Sequence, residues 1–581
     1  MYFSLLYRYF LGRFFIGLIL ITASSTLLLN TAKANSTFEA IYKNVFVAQC
    51  GSCHAPGNMQ ANLDLVGEGS NAMANVRANL YMKPVKNTTA KAKNNLLVYS
   101  GDPYRSLLFR LVNNGLAADV VVEPSEDVDN IHANIKLKDT DKELIRQWIL
   151  FDAPATGYVI DHSMIESFYS GNGIWGIDAS EIPEPPAPGE GFQIHYGPFF
   201  LPPWEDADQP NAEYRLKYDT KLPTDIEINR IEAAIGSSHH FIMYRFTEDA
   251  KDVPYGLRNN DMDTQSEYVA GWQFSNNLLL PEGTAYKWAK NSQLDLNAHV
   301  INYSQTAIVA NDMYINVYTQ PKGTAKQEMF SALIPNITLY LPNTGQEEEI
   351  ETFFNLNQNA TIHIWRMSSH THKLATDFDV WLRNADGTKN EHIFDATKYN
   401  GVPTCEEIGY DYQHPPTRSF APFLPLNIKN GIIHRAKYLN NSNKPVFWGP
   451  TSNDEMMITA IFYTLSTDGI EMTENSDCAE VGINEQNFTS DSANTNLNLQ
   501  VLNSAATAQT TLNLSAKQAG RANLQVFDVN GRQIWETSIS LLGGNTQQQI
   551  TLPTHNLGKG VYWCRAANEQ GQAVNQKFIV Y

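Results

Sequence analysis

Five histidines and one methionine, spread over more than 200 residues, have types and spacing suited to metal chemistry. They are His239, His240, His299, His370, His372 and Met456. Imidazole suits copper, and the soft thioether of methionine selects the Cu(I) state. Zinc sites are built from Cys, His and carboxylates rather than from methionine. The set therefore indicates copper redox chemistry at two centres.

The second group of ligands is predicted to lie on one strand. His370 and His372 are separated by one residue. Because residues i and i+2 of a strand point to the same face, one metal ion could bind both side chains. Met456, in the run Asp-Glu-Met, would complete a His-His-Met site.

The first group needs an irregular strand. His239 and His240 are adjacent and would face opposite ways on a regular strand. Sharing one copper ion therefore requires a strand end or a bulge, which the Gly-Ser-Ser run at 236–238 permits. His299 lies in an alternating apolar run and could complete a three-histidine site.

A second motif, Cys50-Gly-Ser-Cys53-His54, has the C-x-x-C-H spacing of a c-type haem attachment site. The two cysteines would bind the macrocycle and His54 would be the proximal iron ligand. The alternatives are a disulfide loop or half of a zinc site, and no second C-x-x-C lies nearby. For the distal ligand, His132 would give bis-histidine iron, and Met82 is the alternative.

Composition limits the class of protein. The chain has 581 residues, 43% hydrophobic and 18% charged, which fits several globular domains. Its formal net charge of −19 argues against nucleic acid as a partner, because no basic surface is available to neutralise phosphates.

The N-terminus is predicted to be a secretory signal peptide, residues 1–34. Two arginines precede an apolar run at 14–29, and an Ala-Lys-Ala cleavage sequence follows. The alternative is a retained membrane anchor. In an exported protein, Cys405 and Cys478 could form a disulfide, while Cys564 receives no role.

The predicted fold class is multidomain: a small all-α cytochrome c domain, two antiparallel β-sandwich copper domains and a small C-terminal β-sandwich. Apolar spacing predicts a helix at 37–49, and a capping box of Thr140 and Glu143 predicts the start of a closing helix. Short β-type runs separated by Pro, Gly and Asn predict the sandwiches. The expected units are 35–155 (haem domain), 156–190 (Pro-rich linker), 191–340 and 341–483 (copper domains), 484–498 (linker) and 499–581 (β-domain).

Residues 191 to 480 resemble the copper type II, ascorbate-dependent monooxygenases, the family of dopamine β-hydroxylase and peptidylglycine α-hydroxylating monooxygenase. The matching elements are Ser-Ser-His-His, the strand histidine, His-Thr-His and Thr-Ser-Asn-Asp-Glu-Met. The resemblance implies two β-sandwiches that face a solvent-filled gap, each holding one copper ion. It assigns His239, His240 and His299 to an electron-transfer copper, and His370, His372 and Met456 to the catalytic copper that binds dioxygen.

Two departures from that family bear on the substrate. Ser368 stands where the peptide-amidating members have an arginine, and Met457 and Ile458 stand where they have Cys and Asn. A peptidyl-glycine substrate is therefore not expected. The expected function is C–H hydroxylation of a small-molecule or peptide-like substrate. The reductant is ascorbate or a redox protein, and the fused haem relays the electrons. The alternatives are a non-catalytic copper and haem redox protein, or a polymer-binding module at the cell surface.

The last block resembles the sorting domain of the type IX secretion pathway. It carries Leu-Gln-Val-Phe-Asp-Val-Asn-Gly-Arg at 524–532, Leu-Gly-Lys-Gly-Val-Tyr at 557–562 and Lys-Phe-Ile-Val at 577–580. The resemblance implies the type IX machinery as a partner and a final location in the periplasm, on the outer-membrane surface or outside the cell. The alternative is an immunoglobulin-like spacer or a carbohydrate-binding module.

Overall fold

The computed structural model of this chain describes most of residues 35–470 and parts of 497–580. The gaps in the first range are 205–209, 237, 248–249, 260–265, 274–275, 303, 398–408, 413–414 and 450–452. The predicted signal peptide, Cys405, Cys478 and most of the predicted linker 484–498 lie outside the described residues. Within the described part of the chain, none of the helices has the length and hydropathy to cross a bilayer.

Helices are confined to the N-terminal part of the described chain. They are α1 (Thr37–Ile41), α2 (Gly51–His54), α3 (Ala72–Leu80), α4 (Thr88–Ala92), α5 (Leu107–Val112), α6 (Asp139–Leu150) and α7 (His162–Ser167). A π-helix, Tyr42–Cys50, joins α1 to α2, so the helix predicted at 37–49 continues to the haem motif with a wider turn. Single turns of 3₁₀ or π-helix lie at Gln60–Asn62, Pro103–Arg105, Val128–Asn130, His132–Asn134, Phe168–Asn172 and Ala179–Glu181.

The prediction of a separate all-α cytochrome domain is wrong. Strands make up 46% of the structure and helices only 17%. The apolar core of the helical segment, around Phe46 and Trp148, continues into Phe200, Ile308 and Ala310 of the following sheet. Hydrophobic burial is non-directional. Apolar side chains of the helices and of the sheet therefore form one core, and the helices pack on a β-sandwich instead of forming an independent unit.

The predicted Pro-rich linker 156–190 is also folded rather than an extended spacer. It contains α7 and the strand Gly173–Trp175, which pairs in parallel with Ile308–Gln320 of the first sandwich. The predicted capping box is wrong as well. Helix α6 has no side-chain cap, and Glu143 instead accepts hydrogen bonds from Arg146, Gln147 and Tyr169 inside the interface.

The first sandwich consists of two sheets. Its strands, after the short hairpin strand β1 (Asn58–Met59), are β2 (Gly173–Trp175), β3 (Gly191–Leu201), β4 (Asn211–Asp219), β5 (Ile226–Ala234), β6 (Ser238–Phe246), β7 (Leu257–Asn259), β8 (Ser266–Trp272), β9 (Asn276–Leu279), β10 (Thr284–Trp288), β11 (Gln293–Ile301), β12 (Ile308–Gln320) and β13 (Gln327–Glu328). Sheet I has the order β13-β10-β5-β12-β2, with β3 on β12 and β9 on β5. Sheet II has the order β7-β4-β11-β6-β8.

The second sandwich begins at residue 330, eleven residues before the predicted start at 341. Its strands are β14 (Phe330–Pro335), β15 (Tyr340–Leu341), β16 (Glu347–Phe354), β17 (Thr361–Thr371), β18 (Ala375–Arg383), β19 (Lys389–Asp395), β20 (Thr417–Asn427), β21 (Ile432–Leu439), β22 (Val446–Phe447) and β23 (Met457–Thr464). Sheet III has the order β14-β23-β17-β20, sheet IV has the order β16-β21-β18-β19, and β15 pairs with β22.

The C-terminal block forms a third, smaller sandwich. Its strands are β24 (Leu497–Val501), β25 (Ala505–Ala506), β26 (Gln509–Ala516), β27 (Ala519–Asp528), β28 (Gln533–Leu542), β29 (Gln548–Pro553), β30 (Gly560–Asn568) and β31 (Ala573–Val580). One sheet has the order β24-β26-β29 and the other β25-β31-β30-β27-β28. Cys564 is fully buried in the core between them and is not disulfide-bonded.

An ion triplet around the buried side chain of His195 fixes the helical segment to the first sandwich. The His195 ring on β3 donates hydrogen bonds to Asp119 of the helical segment (2.7 Å) and to Asp312 of β12 (3.0 Å). The same ring is stacked between Tyr104, at a centroid distance of 3.7 Å, and Tyr314, at 4.1 Å. Although burial opposes its charge, the two carboxylates raise the pKa of His195 to about 9. The imidazolium is therefore the stable form at neutral pH.

The triplet predicts a loss of stability at alkaline pH. Because the folded-state pKa is about 9 and the ordinary value is 6.5, the contribution is complete below about pH 6.5 and is lost as pH rises through 9. The shift corresponds to roughly 3 kcal/mol. Thermal unfolding should show a falling melting temperature between pH 7 and 10. A His195→Gln variant should be less stable at pH 7 and should lack this part of the pH dependence. Equal alkaline slopes in both proteins would contradict this account.

Candidate functional site

Two of the predicted ligands lie directly opposite each other on sheet II. His299 of β11 pairs with His240 of β6, their ring centroids are 5.0 Å apart, and both side chains are buried. Their neighbours in the alternating pattern, Phe241 and Ala298, point into the sandwich core. Since side chains alternate between the two faces of a strand, the histidines lie on the outer face of sheet II.

A bulge occurs at the position where the sequence required one. His240 pairs with His299, but the next pair along the strands is Ser238 with Val300. His239 is therefore the extra residue in the backbone of β6. A bulge adds one residue to a strand and bends its backbone locally.

The second group of ligands lies at the end of β17. A bulge at Trp365 reverses the alternation of this strand, so that Met367 points into the core while Ser368 and His370 point outward. His372 follows the last residue of the strand and is buried, and its ring centroid lies 5.5 Å from that of His370. The Nδ1–H of His372 donates to the carbonyl oxygen of Asp454 at 3.0 Å, which leaves Nε2 as the lone-pair nitrogen.

The two adjacent methionines have different surroundings. Met456 is half-buried and lines a cavity together with His240 and His370. Met457 is fully buried in the core of the second sandwich, with its sulfur 3.6 Å from the amide nitrogen of Asn336. Of the two methionines, Met456 is therefore the one that reaches the cavity lined by His240 and His370.

Glu455, which was not predicted as a site residue, contacts the backbone of the second group of predicted ligands. Its buried carboxylate accepts hydrogen bonds from the backbone N–H groups of His372, Leu374 (2.9 Å) and Met456 (2.8 Å). Burial raises its pKa to about 7, against the opposing effect of these N–H groups. In the sequence, only the position of Glu455 directly before Met456 could have indicated this role. Its contact with His372 could not be predicted, because the two residues are 83 positions apart.

If the predicted copper site is formed, a Glu455→Gln variant should weaken it. The amide would turn an NH₂ group toward backbone N–H donors and loosen the positions of His372 and Met456. Outer residues of this kind typically contribute about 10- to 100-fold to metal affinity. Competition with a chelator measures the change. Asp454→Asn is the matched control, because His372 bonds the backbone carbonyl of Asp454 and that carbonyl is retained. Equal affinity in Glu455→Gln and wild type would refute this role.

A cavity of about 550 Å³ separates sheets II and III beside these residues. Its lining is mixed, with aromatic and charged side chains from both sandwiches. They include Tyr244, Tyr268, Trp272, Trp448, Arg215 and Arg366. A cavity of this size accommodates a small molecule or a short peptide segment.

The C-x-x-C-H motif lies apart from these residues, in the helical segment. Cys50 and Cys53 are free thiols at the end of the π-helix and in α2. The ring centroids of His54 and His132 are 6.3 Å apart and the rings are within 20° of parallel. Met82 is engaged elsewhere, because its sulfur accepts a hydrogen bond from the backbone N–H of Ser100 at 3.2 Å.

Both imidazoles of this site are held by hydrogen bonds at Nδ1. His54 Nδ1–H donates to the carbonyl of Leu63 at 3.1 Å, and His132 Nδ1–H donates to the carboxylate of Asp127 at 2.7 Å. Burial lowers the pKa of His54, so this ring is neutral at neutral pH. Asp127, five residues before His132, was not identified from the sequence.

Comparison with known proteins identifies one part of the chain. Residues 506–581 match the model of a secretion system C-terminal sorting domain. No curated protein matches the chain.

Similar solved structures include β-glucuronidases. That of Parabacteroides merdae is 7% identical, with 46% of this chain and 31% of that chain covered and a TM-score of 0.13. That of Ruminococcus gnavus is 7% identical, covering 40% and 34%, with a TM-score of 0.12. β-Glucuronidase 3 of Bacteroides uniformis is 11% identical, covering 42% and 27%, with a TM-score of 0.10. The matched parts span about a third of those enzymes or less, and similarities this low establish neither a shared fold nor a shared activity.

The sorting domain has a testable consequence. A chain truncated after residue 505 should accumulate inside the outer membrane, whereas the full-length chain should be found outside it. Cell fractionation with immunodetection measures the distribution. A truncated chain that still reaches the surface would show that these residues are dispensable for sorting.

The predicted sorting domain is therefore confirmed: the chain ends in a C-terminal sorting domain of the type IX secretion system and is an exported, secreted or cell-surface protein.

Proposed function

We propose that this protein is a secreted copper-dependent monooxygenase. It hydroxylates a C–H bond of a small-molecule or peptide-like substrate with dioxygen, using electrons relayed by a c-type haem. The observation that carries the proposal is the convergence of His240, His370 and Met456 on one cavity. These side chains come from two sandwiches and are up to 216 residues apart in the sequence.

The donor set suits copper. Two imidazoles bound to one metal ion through bonds of about 2 Å have ring centroids about 4.5 to 6.3 Å apart. His240 with His299 (5.0 Å) and His370 with His372 (5.5 Å) both fall within this range. Burial lowers the pKa of His372, so its ring is the neutral form that binds metal. The thioether of Met456 favours Cu(I) at the second pair.

Copper bound by these residues supplies the one-electron redox chemistry that dioxygen reduction requires. Inserting one oxygen atom into a C–H bond consumes one dioxygen, two electrons and two protons, and yields the alcohol and one water. Residues of the chain would hold the metal ligands and the substrate in position. Glu455 holds the backbone of His372 and Met456 together, and a substrate bound in the cavity would lie near His370 and Met456, which line it.

Haem also suits the second site. His54 and His132 would be the residues that hold the iron, because their rings are nearly parallel and their centroids are 6.3 Å apart. Both rings donate through Nδ1, which leaves Nε2 to bind iron. Apolar side chains close to these residues in the chain, Met59 and Ile131, are exposed and would be covered by a bound macrocycle. His132 is therefore favoured over Met82 as the distal ligand.

The haem would lie at a fixed position relative to the first sandwich, rather than on a domain joined to it by a flexible linker. The helical segment shares a core with the first sandwich and is fixed to it by the His195 triplet. Electron relay would then occur within one packed unit, without a search by a mobile domain.

Elemental analysis and oxygen uptake test the proposal. Purified protein should contain two copper ions and one haem per chain and should consume oxygen with ascorbate as reductant. His370→Ala should lose one copper ion and the activity. His363→Ala is the matched control, because His363 is on the same strand and does not line the cavity. Absence of copper, or a His370→Ala variant with both ions, would contradict the proposal. Copper binding without any turnover would support the alternative function, a non-catalytic redox protein.

A further inference from the structure

One wall of the cavity between sheets II and III is apolar. Its members come from the second sandwich and are Leu333, Pro335, Ile337, Trp448 and Ile458. Among the described residues, the carboxylate and guanidinium groups that line the cavity lie on β4, β8 and β17 instead, and belong to Glu213, Arg215, Glu267 and Arg366. The apolar wall therefore suits the non-polar part of a bound molecule.

The apolar wall continues onto the surface of the second sandwich. Ile337 lines the cavity and is nevertheless 65% exposed, so it lies at the mouth of the cavity. Tyr340, three residues later, is 49% exposed, and Phe447, directly before Trp448, is 56% exposed. Tyr340 and Phe447 pair across β15 and β22, with ring centroids 5.2 Å apart. The side chains of Ile337, Tyr340 and Phe447 thus form an outer patch that adjoins the cavity.

Backbone hydrogen bonds fix the outer patch relative to Met456. The N–H of Asn336, at the start of the turn that carries Ile337, donates to the carbonyl of Met457 at 2.8 Å. The N–H of Glu455 donates to the carbonyl of Phe447 at 3.0 Å. The two segments that carry the patch are therefore bonded to the residues on either side of Met456.

The outer patch differs from an ordinary exposed apolar residue. Phe353 of β16 is such a residue: it is 58% exposed, it does not line the cavity, and the guanidinium of Arg383 lies 4.6 Å from its ring centroid. Apolar side chains exposed singly are common on proteins, whereas contiguous groups of them mark binding surfaces. The outer patch is contiguous with a cavity wall, so its occupant is a molecule that also enters the cavity.

We propose that the apolar wall and the outer patch form a subsite for an extended apolar part of the substrate. The reacting C–H group would lie in the cavity near Met456, and an apolar extension would run along Ile337 onto the rings of Tyr340 and Phe447. This assignment rests on the proposed function and adds a substrate class, molecules with an alkyl or aryl extension. Burial of that extension would hold the substrate without a charge pair.

Binding of straight-chain alcohols by the full-length protein tests the subsite without requiring turnover. Dissociation constants for butanol, hexanol, octanol and decanol are measured by calorimetric titration. Each buried methylene group should strengthen binding about fourfold. In wild type the gain should continue to decanol. In a variant carrying Tyr340→Ser and Phe447→Ser it should stop earlier, so that decanol binds at least about 10-fold more weakly than to wild type while butanol binds equally.

Phe353→Ser is the matched control, because Phe353 has nearly the same exposure as Phe447 and lies outside the cavity lining. It should bind every alcohol as wild type does. Sedimentation of the same samples detects a competing occupant. Self-association of wild type that the double variant loses would assign the outer patch to a second copy of the chain and overturn the subsite.

The outcomes separate this proposal from the proposed function. Equal decanol affinity in wild type and the double variant, or no binding of any alcohol to wild type, would overturn the subsite. The monooxygenase proposal would then still stand, because copper content and oxygen uptake are measured separately. A chain that shows the expected dependence on alcohol length but contains no copper would retain the apolar subsite and overturn the monooxygenase proposal.

Discussion

Replacing Met456 with isoleucine is expected to abolish oxygen-dependent product formation, with a loss of at least about 100-fold, while the protein stays folded. Isoleucine has a similar volume but would offer no sulfur to the second of the proposed copper sites. X-ray absorption of the Cu(I) protein should show a sulfur scatterer in wild type and none in the variant. Oxygen uptake with ascorbate should fall in parallel.

Met457→Ile is the matched control for this experiment. The side chain of Met457 lies in the core of the second sandwich rather than at the cavity. A hydrophobic exchange of similar volume should cost less than about 1.5 kcal/mol in stability and should leave the copper spectrum unchanged. If instead Met457→Ile removes the sulfur scatterer and Met456→Ile does not, the assignment of the thioether ligand is wrong.

The second large effect is expected at His132. In a His132→Ala variant the haem would lose its distal ligand, and its absorption and resonance spectra should change from the low-spin to the high-spin form. A His132→Met variant should stay low-spin and have a higher reduction potential, since methionine ligation raises it. Spectroelectrochemistry measures both properties.

Met82 provides the comparison for His132. Its sulfur contacts the backbone of Ser100 and no contact joins it to His54 in the described part of the chain. Met82→Leu should therefore leave the haem spectrum unchanged. A high-spin haem in Met82→Leu, together with an unchanged His132→Ala spectrum, would reverse the assignment of the distal ligand.

Local patterns predicted the local features of the site. The apolar alternation around His299 predicts that its side chain lies on the other face of the strand from the core-facing Ala298. The adjacent histidines at 239–240 required a bulge, and the structure has one there. These features follow from strand geometry within a few residues. The sorting domain was recognised from short motifs in the same way.

Features that depend on contacts between distant segments were not predicted. Phe200, Ile308 and Ala310 share a core with the helices, but their apolar pattern in the sequence is that of any sandwich strand. A separate all-α domain was therefore expected where none exists. Glu143 matched a capping box, yet the buried guanidinium of Arg146 binds it instead. The approach of His240 to His370 depends on how two sandwiches pack, which no local spacing encodes.

The most direct test of the central proposal is electron transfer from haem to copper within one chain. Protein with reduced haem and Cu(II) is studied by stopped-flow absorption, alongside the copper-free protein and a His240→Ala variant. The expected result is a haem oxidation phase that requires copper, does not depend on protein concentration and is lost in the variant. Haem oxidation no faster with copper than without it would contradict the relay of electrons from the haem to the copper sites.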